Sequence, residues 1–255
     1  MTDDLSKEAH ARSFGTAAAT YERGRPPYPP EALDWLLPPG ARRVLDLGAG
    51  TGKLTRELVA RGLDVVAVEP LEGMREQLSQ VLPGTTVLDG SAELLPLPDG
   101  SVDAVLAAQA WHWVTPERAA PEVARVLVTG GTLGLVWNER DEGEPWVTEL
   151  NQIVSEQGRK LAADAMRVGN DHDHPRVGPP FGPLELHQVR WAHQTSVPEV
   201  VDMIASRSYV ILLPADQRDR LLTSVRQLLL THPGLAGRPG IAFPYVTWCW
   251  RTRRP

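Results

Sequence analysis

The sequence predicts an α/β protein built on a doubly wound, mostly parallel sheet with helices on both faces, and three observations carry that prediction. Short apolar runs at 43–48, 64–69, 85–88, 102–108 and 132–137 alternate with stretches of helical period. The joins are short and carry breakers, among them Gly62, Asp99-Gly100 and Gly130-Gly131. The first run, Val44-Leu45-Asp46-Leu47, passes directly into glycines at alternate positions, Gly48, Gly50 and Gly52, and then into the helix-like stretch 54–60. Strands joined by crossover helices pair in parallel. Two later strands, 184–196 and 245–251, bring the expected count to seven.

In chain order, residues 1–39 are expected to form an N-terminal arm and a first helix. Pro26-Pro27-Tyr28-Pro29-Pro30 fixes φ and removes backbone donors, so no regular helix or central strand passes through it. Ahead of it, Phe14, Tyr21, Arg23 and Arg25 place aromatic and cationic groups on a segment with little core pattern. That segment reads either as a surface-packed arm or as a lid over a site. A helix over 31–37 ends at Pro38-Pro39-Gly40. Residues 40–140 form the core: strand 43–48, helix 53–61, strand 64–69, helix 71–82, strand 85–88, a loop to Gly100, and strand 102–108. Next come Gln109-Ala110-Trp111-His112-Trp113 and a helix opened by Thr115-Pro116-Glu117, which Pro121 should make irregular, then strand 132–137. Residues 141–255 supply helix 145–158, a loop-like insertion at 160–183, strand 184–196, and helices 198–206 and 216–230. The last of these puts Leu221, Leu222, Val225, Leu228 and Leu229 on one face. Strand 245–251 closes the chain, and the whole is expected to be one domain whose arm and insertions form a substrate lid.

Composition removes several function classes. The 255 residues are 42% hydrophobic and 23% charged, as in ordinary globular proteins, with a net charge of −6. That balance leaves no general basic footprint for nucleic acid, and Arg251, Arg253 and Arg254 read as a solvated strand end. The single Cys249 excludes an intramolecular disulfide and suits a reducing compartment. No apolar leader and no run near the roughly 18 residues of a membrane span is present, so a cytoplasmic protein is expected, monomeric or homodimeric, acting on a small molecule. Asp171-His172-Asp173-His174 has metal-ligand residue types. Four consecutive residues converge poorly on one ion, and no HExxH or CxxC accompanies them, so no metal is expected.

The glycine-rich turn selects among ligand classes by spacing. A phosphate-cradling loop needs Ser or Thr after Gly-Lys, and here Gly52-Lys53 precedes Leu54. A dinucleotide fingerprint needs a third glycine where Lys53 stands. What remains, Asp46-Leu47-Gly48-Ala49-Gly50-Thr51-Gly52, resembles the first motif of class I S-adenosylmethionine-dependent methyltransferases. Tyr21, Arg25-Pro26, Tyr28-Pro29, Ala110-Trp111-His112-Trp113 and Ala124-Arg125-Val126-Leu127 before Gly130-Gly131-Thr132 resemble the trans-aconitate methyltransferase-like branch. The resemblance implies a Rossmann-like fold, S-adenosyl-L-methionine as cofactor and S-adenosyl-L-homocysteine as product. It implies cofactor contacts from Asp46, Gly48, Ala49, Gly50 and Thr51, from Glu69, Pro70 and Met74, and from Ser91, Ala92, Glu93 and Gln109. Ser91 stands where the family commonly has an aspartate.

The residues give independent reasons for part of this. Ligands of open α/β sheets bind at the carboxyl ends of strands, where Glu69 could accept hydrogen bonds from two ribose hydroxyls. Met74 could lie against adenine or fill core. Methyl transfer from a sulfonium is an in-line displacement in which positioning supplies most of the catalysis. Trp111, Trp113 and Tyr21 could offer aromatic faces to the cation, or pack as core. His112 is the candidate general base for a hydroxyl or amine acceptor, against a packing role. A carboxylate acceptor needs no base and would want a guanidinium from Arg25, Arg140 or Arg207. Oxygen is the expected acceptor atom, with carboxylate ahead of hydroxyl. The alternatives are a nicotinamide-dependent oxidoreductase and a non-catalytic cofactor-binding regulator.

Overall fold

The computed structural model describes residues 25–162, 173–211 and 213–255, without the side chains of 156–162, 208 and 209. Its elements in order are α1 (Pro30–Leu36), β1 (Arg43–Leu47), α2 (Lys53–Ala60), β2 (Asp64–Val68), α3 (Glu72–Val81), β3 (Thr86–Leu88) and β4 (Val102–Ala108). A 3-10 turn (Trp111–Trp113) then leads to α4 (Pro116–Val126), β5 (Leu127–Arg140), α5 (Pro145–Ala162), β6 (Glu185–Thr195), α6 (Val197–Ala205), α7 (Ser208–Ile211), α8 (Ala215–Thr231) and β7 (Ile241–Arg253). The strands form one seven-stranded sheet in the order β3-β2-β1-β4-β5-β7-β6.

Strands β1 to β5 pair in parallel, with Leu45 opposite Val66 and Val105, and Val105 opposite Leu133. Strand β7 reverses against β5: Gly130 pairs with Arg254 at one end, and the Asp141 N–H donates to the Pro244 carbonyl at the other. The sheet is therefore mixed at one edge, as expected of a mostly parallel sheet. Each fully buried leucine, such as Leu45, Leu106 and Leu133, contributes roughly 1.5–3 kcal/mol by leaving water.

Two compact units share this chain. One comprises, among the described residues, 27–138, 173–189 and 247–255, and its core joins Leu45, Val66, Val105 and Leu133 to Trp111, Val123 and Trp250. Within it, the Arg125 guanidinium pins the loop between β3 and β4 by donating to the carbonyls of Leu95 (3.0 Å) and Leu97 (2.8 Å) and to Asp99 (2.7 Å). The other comprises, among the described residues, 25–26, 139–162, 190–211 and 213–246. Its core is helical and aromatic, with Trp146 and Leu150 of α5, Ile204 of α6, Val225 of α8, and Phe243 and Tyr245 of β7. A capping box opens α6: the Ser196 side chain accepts from the Glu199 N–H, and the Glu199 carboxylate accepts from the Ser196 N–H at 2.8 Å.

Three expectations change in detail. Helix α4 runs unbroken through Pro121, which faces solvent, where irregularity was expected. Strand β5 begins five residues earlier than 132 and ends three later than 137, because backbone pairing with β7 at both ends carries it past its apolar stretch. The expected loop 160–183 contributes buried Val177 and Phe181 to the first core, while 163–172, including Asp171 and His172, lie outside the described residues. Among the described residues no helix is long and apolar enough to cross a membrane.

Candidate functional site

The glycine turn leaves the carboxyl end of β1 and is fastened to β2. The N–H groups of Gly48 and Ala49 both donate to the Val68 carbonyl, at 2.8 and 3.2 Å. Gly48 has φ +70°, and a Cβ there would lie 2.6 Å from the Cβ of Ala110, so backbone conformation and the close approach of the chain after β4 both exclude a side chain. Gly50 has φ +56°, but a Cβ there would meet nothing within 4 Å, so this peptide borders open space. Ala49 and Thr51 are buried beside it.

Two buried carboxylates support the turn. Asp46 lies in β1 with no solvent exposure; the Thr55 hydroxyl donates to its Oδ2 at 2.6 Å, and Oδ1 is buried without a hydrogen-bond partner. Burial pushes its pKa up to about 7, against the Thr55 hydrogen bond and with the help of the Glu69 charge. Glu69 directly follows β2 and is also buried. Its Oε2 accepts from the Gly50 N–H at 2.9 Å and its Oε1 from the Leu71 N–H at 3.0 Å. Burial raises its pKa and outweighs those two hydrogen bonds and the nearby Arg75. A carboxylate has about four acceptor sites, so Glu69 keeps capacity for two more donors while holding Gly50 in place.

Other elements complete this end of the sheet. Arg75 of α3 donates to the carbonyls of Glu69 (2.9 Å) and Pro70 (2.7 Å) and to Asp89 (3.1 Å), tying the ends of β2 and β3 together. Met74, one residue before it, is buried. After β3, a Cβ at Gly90 would stand 3.1 Å from Val68, so the loop lies close over the end of β2. Ser91 bridges Leu94 by its backbone, Ala92 is buried in the core, and Glu93 accepts from the Thr115 N–H at 2.8 Å, which caps α4. The Glu93 carboxylate thus has a structural task alongside the expected cofactor contact.

At the end of β4, Gln109 has φ +55°, the one non-glycine residue with positive φ among those described. It is held there by its N–H on the Val136 carbonyl (2.9 Å) and its side-chain amide on the Asn138 carbonyl (3.1 Å). Asn138 also donates to the Pro27 carbonyl (2.9 Å) and accepts from the Thr247 hydroxyl (2.6 Å), so one side chain gathers the proline segment, β5 and β7. Sequence reasoning missed Asn138 because its role is a set of long-range bonds with no local pattern. Trp111 is core: it is buried, and its indole N–H donates to the Arg176 carbonyl at 2.8 Å, which removes it as an aromatic face for a ligand. His112 and Trp113 are half-buried, with rings 5.0 Å apart. The Trp137 indole N–H donates to His112 Nδ1 at 3.4 Å, the long end of the hydrogen-bond range.

The first unit therefore brings together the glycine turn, Asp46, Glu69, the loop after β3, Gln109 and His112. Arg25 belongs to the other unit, and Tyr21 lies outside the described residues. No group of three or more metal-ligating side chains occurs among the described residues. Open space beside Gly50 and spare acceptor capacity on Glu69 fit a cofactor that carries ribose hydroxyls, and Gly50, Glu69 and Gln109 would border it.

Comparison with known proteins defines the class. Residues 45–135, the stretch from β1 to β5, match the family model described as a methyltransferase domain. The chain is 56% identical over 246 residues to an uncharacterised methyltransferase of Mycobacterium tuberculosis, covering 96% of this chain and 97% of that one. It is 31% identical over 255 residues to a methyltransferase-like protein of Schizosaccharomyces pombe, covering 98% of each. A solved structure from Anaeromyxobacter dehalogenans, described as a type II methyltransferase, superposes with a TM-score of 0.63 at 26% identity, over 90% of this chain and 96% of that one. The chain belongs to the methyltransferase family. It is a class I enzyme dependent on S-adenosylmethionine, whose binding the fold implies.

Proposed function

We propose that this enzyme transfers the methyl group to an oxygen of a small-molecule acceptor, a carboxylate in preference to a hydroxyl. The observation that carries this reading is the bond from the Trp137 indole to His112 Nδ1. An imidazole that accepts at Nδ1 holds its proton at Nε2 when neutral, so His112 presents a donor and has no free basic nitrogen for an acceptor's proton. A carboxylate needs no base, since it is ionised near neutral pH.

S-adenosylmethionine, when bound, supplies a methyl group on a sulfonium centre. The chain's own groups do the rest. The turn from Gly48 to Thr51 offers backbone beside an open space, Glu69 accepts from hydroxyls, and Met74 and the backbone of Ser91 and Ala92 line the base, with Glu93 and Pro70 at the margin. Gln109 holds the end of β4 in a conformation that aims the 111–113 turn, and strain of this kind gathers at functional sites. His112 Nε2–H and Trp113 orient the acceptor. The net charge of −6 supports a small-molecule substrate over nucleic acid. We place the reaction in the cytoplasm, in a monomer or homodimer.

The test is transfer of labelled methyl from the cofactor to a panel of carboxylic acids, phenols and amines, followed by mild alkaline hydrolysis of the product. A methyl ester releases volatile labelled methanol, as this reading requires. Label that goes only to amines, or stays base-stable on a phenol, refutes it.

A further inference from the structure

Three stretches of the unit that holds the glycine turn begin or end at Pro27, Asn138 and Thr247. One side chain ties them. The Asn138 amino group donates to the Pro27 carbonyl at 2.9 Å, and its side-chain oxygen accepts from the Thr247 hydroxyl at 2.6 Å. The amide has one workable orientation, because a backbone carbonyl only accepts. Proline has no backbone donor, so Pro27 cannot pair as a strand residue would, and its carbonyl takes a side-chain donor instead. Thr247 is fully buried, which shields its bond from water.

The end of β5 grips the chain after β4 with three consecutive residues. The Val136 carbonyl accepts from the Gln109 N–H, the Trp137 indole donates to His112 Nδ1, and the Asn138 carbonyl accepts from the Gln109 side chain. Side chains alternate across a strand, so Trp137 faces the core it shares with Trp111 while Asn138 faces the opposite side, toward Pro27. Gln109 needs this grip, since an L residue holds φ +55° only where its surroundings enforce it. A return to negative φ would swing Ala110 and the turn behind it. Ala110 stands so near the glycine turn that a Cβ on Gly48 would come within 2.6 Å of it, and the bond from Trp137 to His112, at 3.4 Å, has no slack. A displacement of a few tenths of an ångström breaks that bond.

We propose that Asn138 is a positioning residue: by fastening the end of β5 to Pro27 and Thr247, it keeps Gln109 in the left-handed region and with it the turn that aims His112. The consequence for methyl transfer rests on His112 orienting the acceptor, as above; the hold on the turn does not. The reporter is the His112 imidazole in the ligand-free, nitrogen-15-labelled full chain at about pH 8, where neutral imidazole prevails. Its two nitrogen resonances are assigned by their loss in His112→Gln, and S-adenosylhomocysteine affinity is measured in parallel by calorimetry.

The wild type should show one tautomer, protonated at Nε2. Asn138→Asp keeps an acceptor for Thr247 and sets an oxygen against the Pro27 carbonyl. Its two His112 shifts should converge toward the average of both tautomers, while S-adenosylhomocysteine affinity stays within about twofold of the wild type. Thr247→Ser should keep the wild-type spectrum, and Thr247→Val should move it in the direction of Asn138→Asp. With an acid that accepts methyl, kcat of Asn138→Asp should fall about tenfold to a hundredfold at unchanged KM for the cofactor.

A wild type that already mixes tautomers, an unchanged spectrum in Asn138→Asp, or a change accompanied by a larger loss of S-adenosylhomocysteine affinity overturns the role. If Asn138→Asp fails to fold, the threonine pair decides, and the same spectrum from valine and serine overturns it. Converged shifts with no acid methylated leave Asn138 in its role and remove the carboxylate as acceptor. Methylated acids with an unchanged spectrum do the reverse.

Discussion

Replacing Asp46 with asparagine tests the electrostatics beneath the glycine turn. In the folded chain burial raises this carboxyl from its ordinary 3.8 to about 7. Between those values the folded protein holds a proton that the unfolded chain has released, so stability is fully present below about pH 4 and falls as pH rises to about 7. The slope is about 1.4 kcal/mol per pH unit, and over about three units the loss from this one group is about 4 kcal/mol. Asp46→Asn removes the titration and little else. The carboxamide oxygen still accepts from Thr55, and its amino group occupies the place of Oδ1, which has no partner in the wild type either. The neutral acid and the amide should therefore match in stability near pH 4 within about 1 kcal/mol. Near pH 8 the variant should be more stable by about 4 kcal/mol. Urea unfolding of the ligand-free protein, followed by circular dichroism across that range, measures both curves. Curves that stay parallel refute the raised carboxyl.

Two further predictions concern the turn and the strand-four cluster. Gly48→Ala carries both positive-φ strain and the contact with Ala110, whereas Gly50→Ala carries the strain alone, at roughly 1–2 kcal/mol. The first variant should be less stable than the second by about 1–3 kcal/mol, from crowding, while the second loses more S-adenosylhomocysteine affinity. Equal stabilities in urea unfolding would remove the Ala110 argument. For His112, a glutamine that keeps a donor near Nε2 should retain most of the turnover with a carboxylate substrate, and alanine should lose about tenfold; loss of a true general base costs about 10²–10⁴. A steep fall for both variants, with loss of a pH limb in kcat, would restore the base.

Much of the first unit is legible from local sequence, because its signals are local. The strand-turn-helix of 43–61, the acid after β2 and the short joins all occupy a few consecutive residues, and a buried parallel strand leaves an unbroken apolar run. What escapes is set by distant partners. The extension of β5 through Asn138, Glu139 and Arg140 follows from pairing with β7 more than 100 residues on, as the bond from Asp141 to Pro244 records. Trp111 has the residue type of a ligand-facing aromatic, yet a carbonyl 65 residues away satisfies its indole inside the core. Glu93 sits where a cofactor contact was expected and also caps α4, a task visible only once Thr115 lies beside it. Pro121 shows the converse, a local breaker that a solvent-facing position in α4 tolerates.

The central claim is that the turn after β1 and Glu69 together hold S-adenosylmethionine. Calorimetric titration of S-adenosylhomocysteine into the wild type and into Glu69→Gln tests it most directly, with NADH as the competing ligand. Glu69 is asked both to hold the Gly50 N–H and to accept from the ligand, and glutamine offers one acceptor oxygen in place of two. The wild type should bind S-adenosylhomocysteine with a Kd on the order of micromolar and show no heat with NADH, and the variant should bind about tenfold more weakly or worse. Equal affinity of the two proteins for S-adenosylhomocysteine, or binding of NADH in its place, would contradict the account.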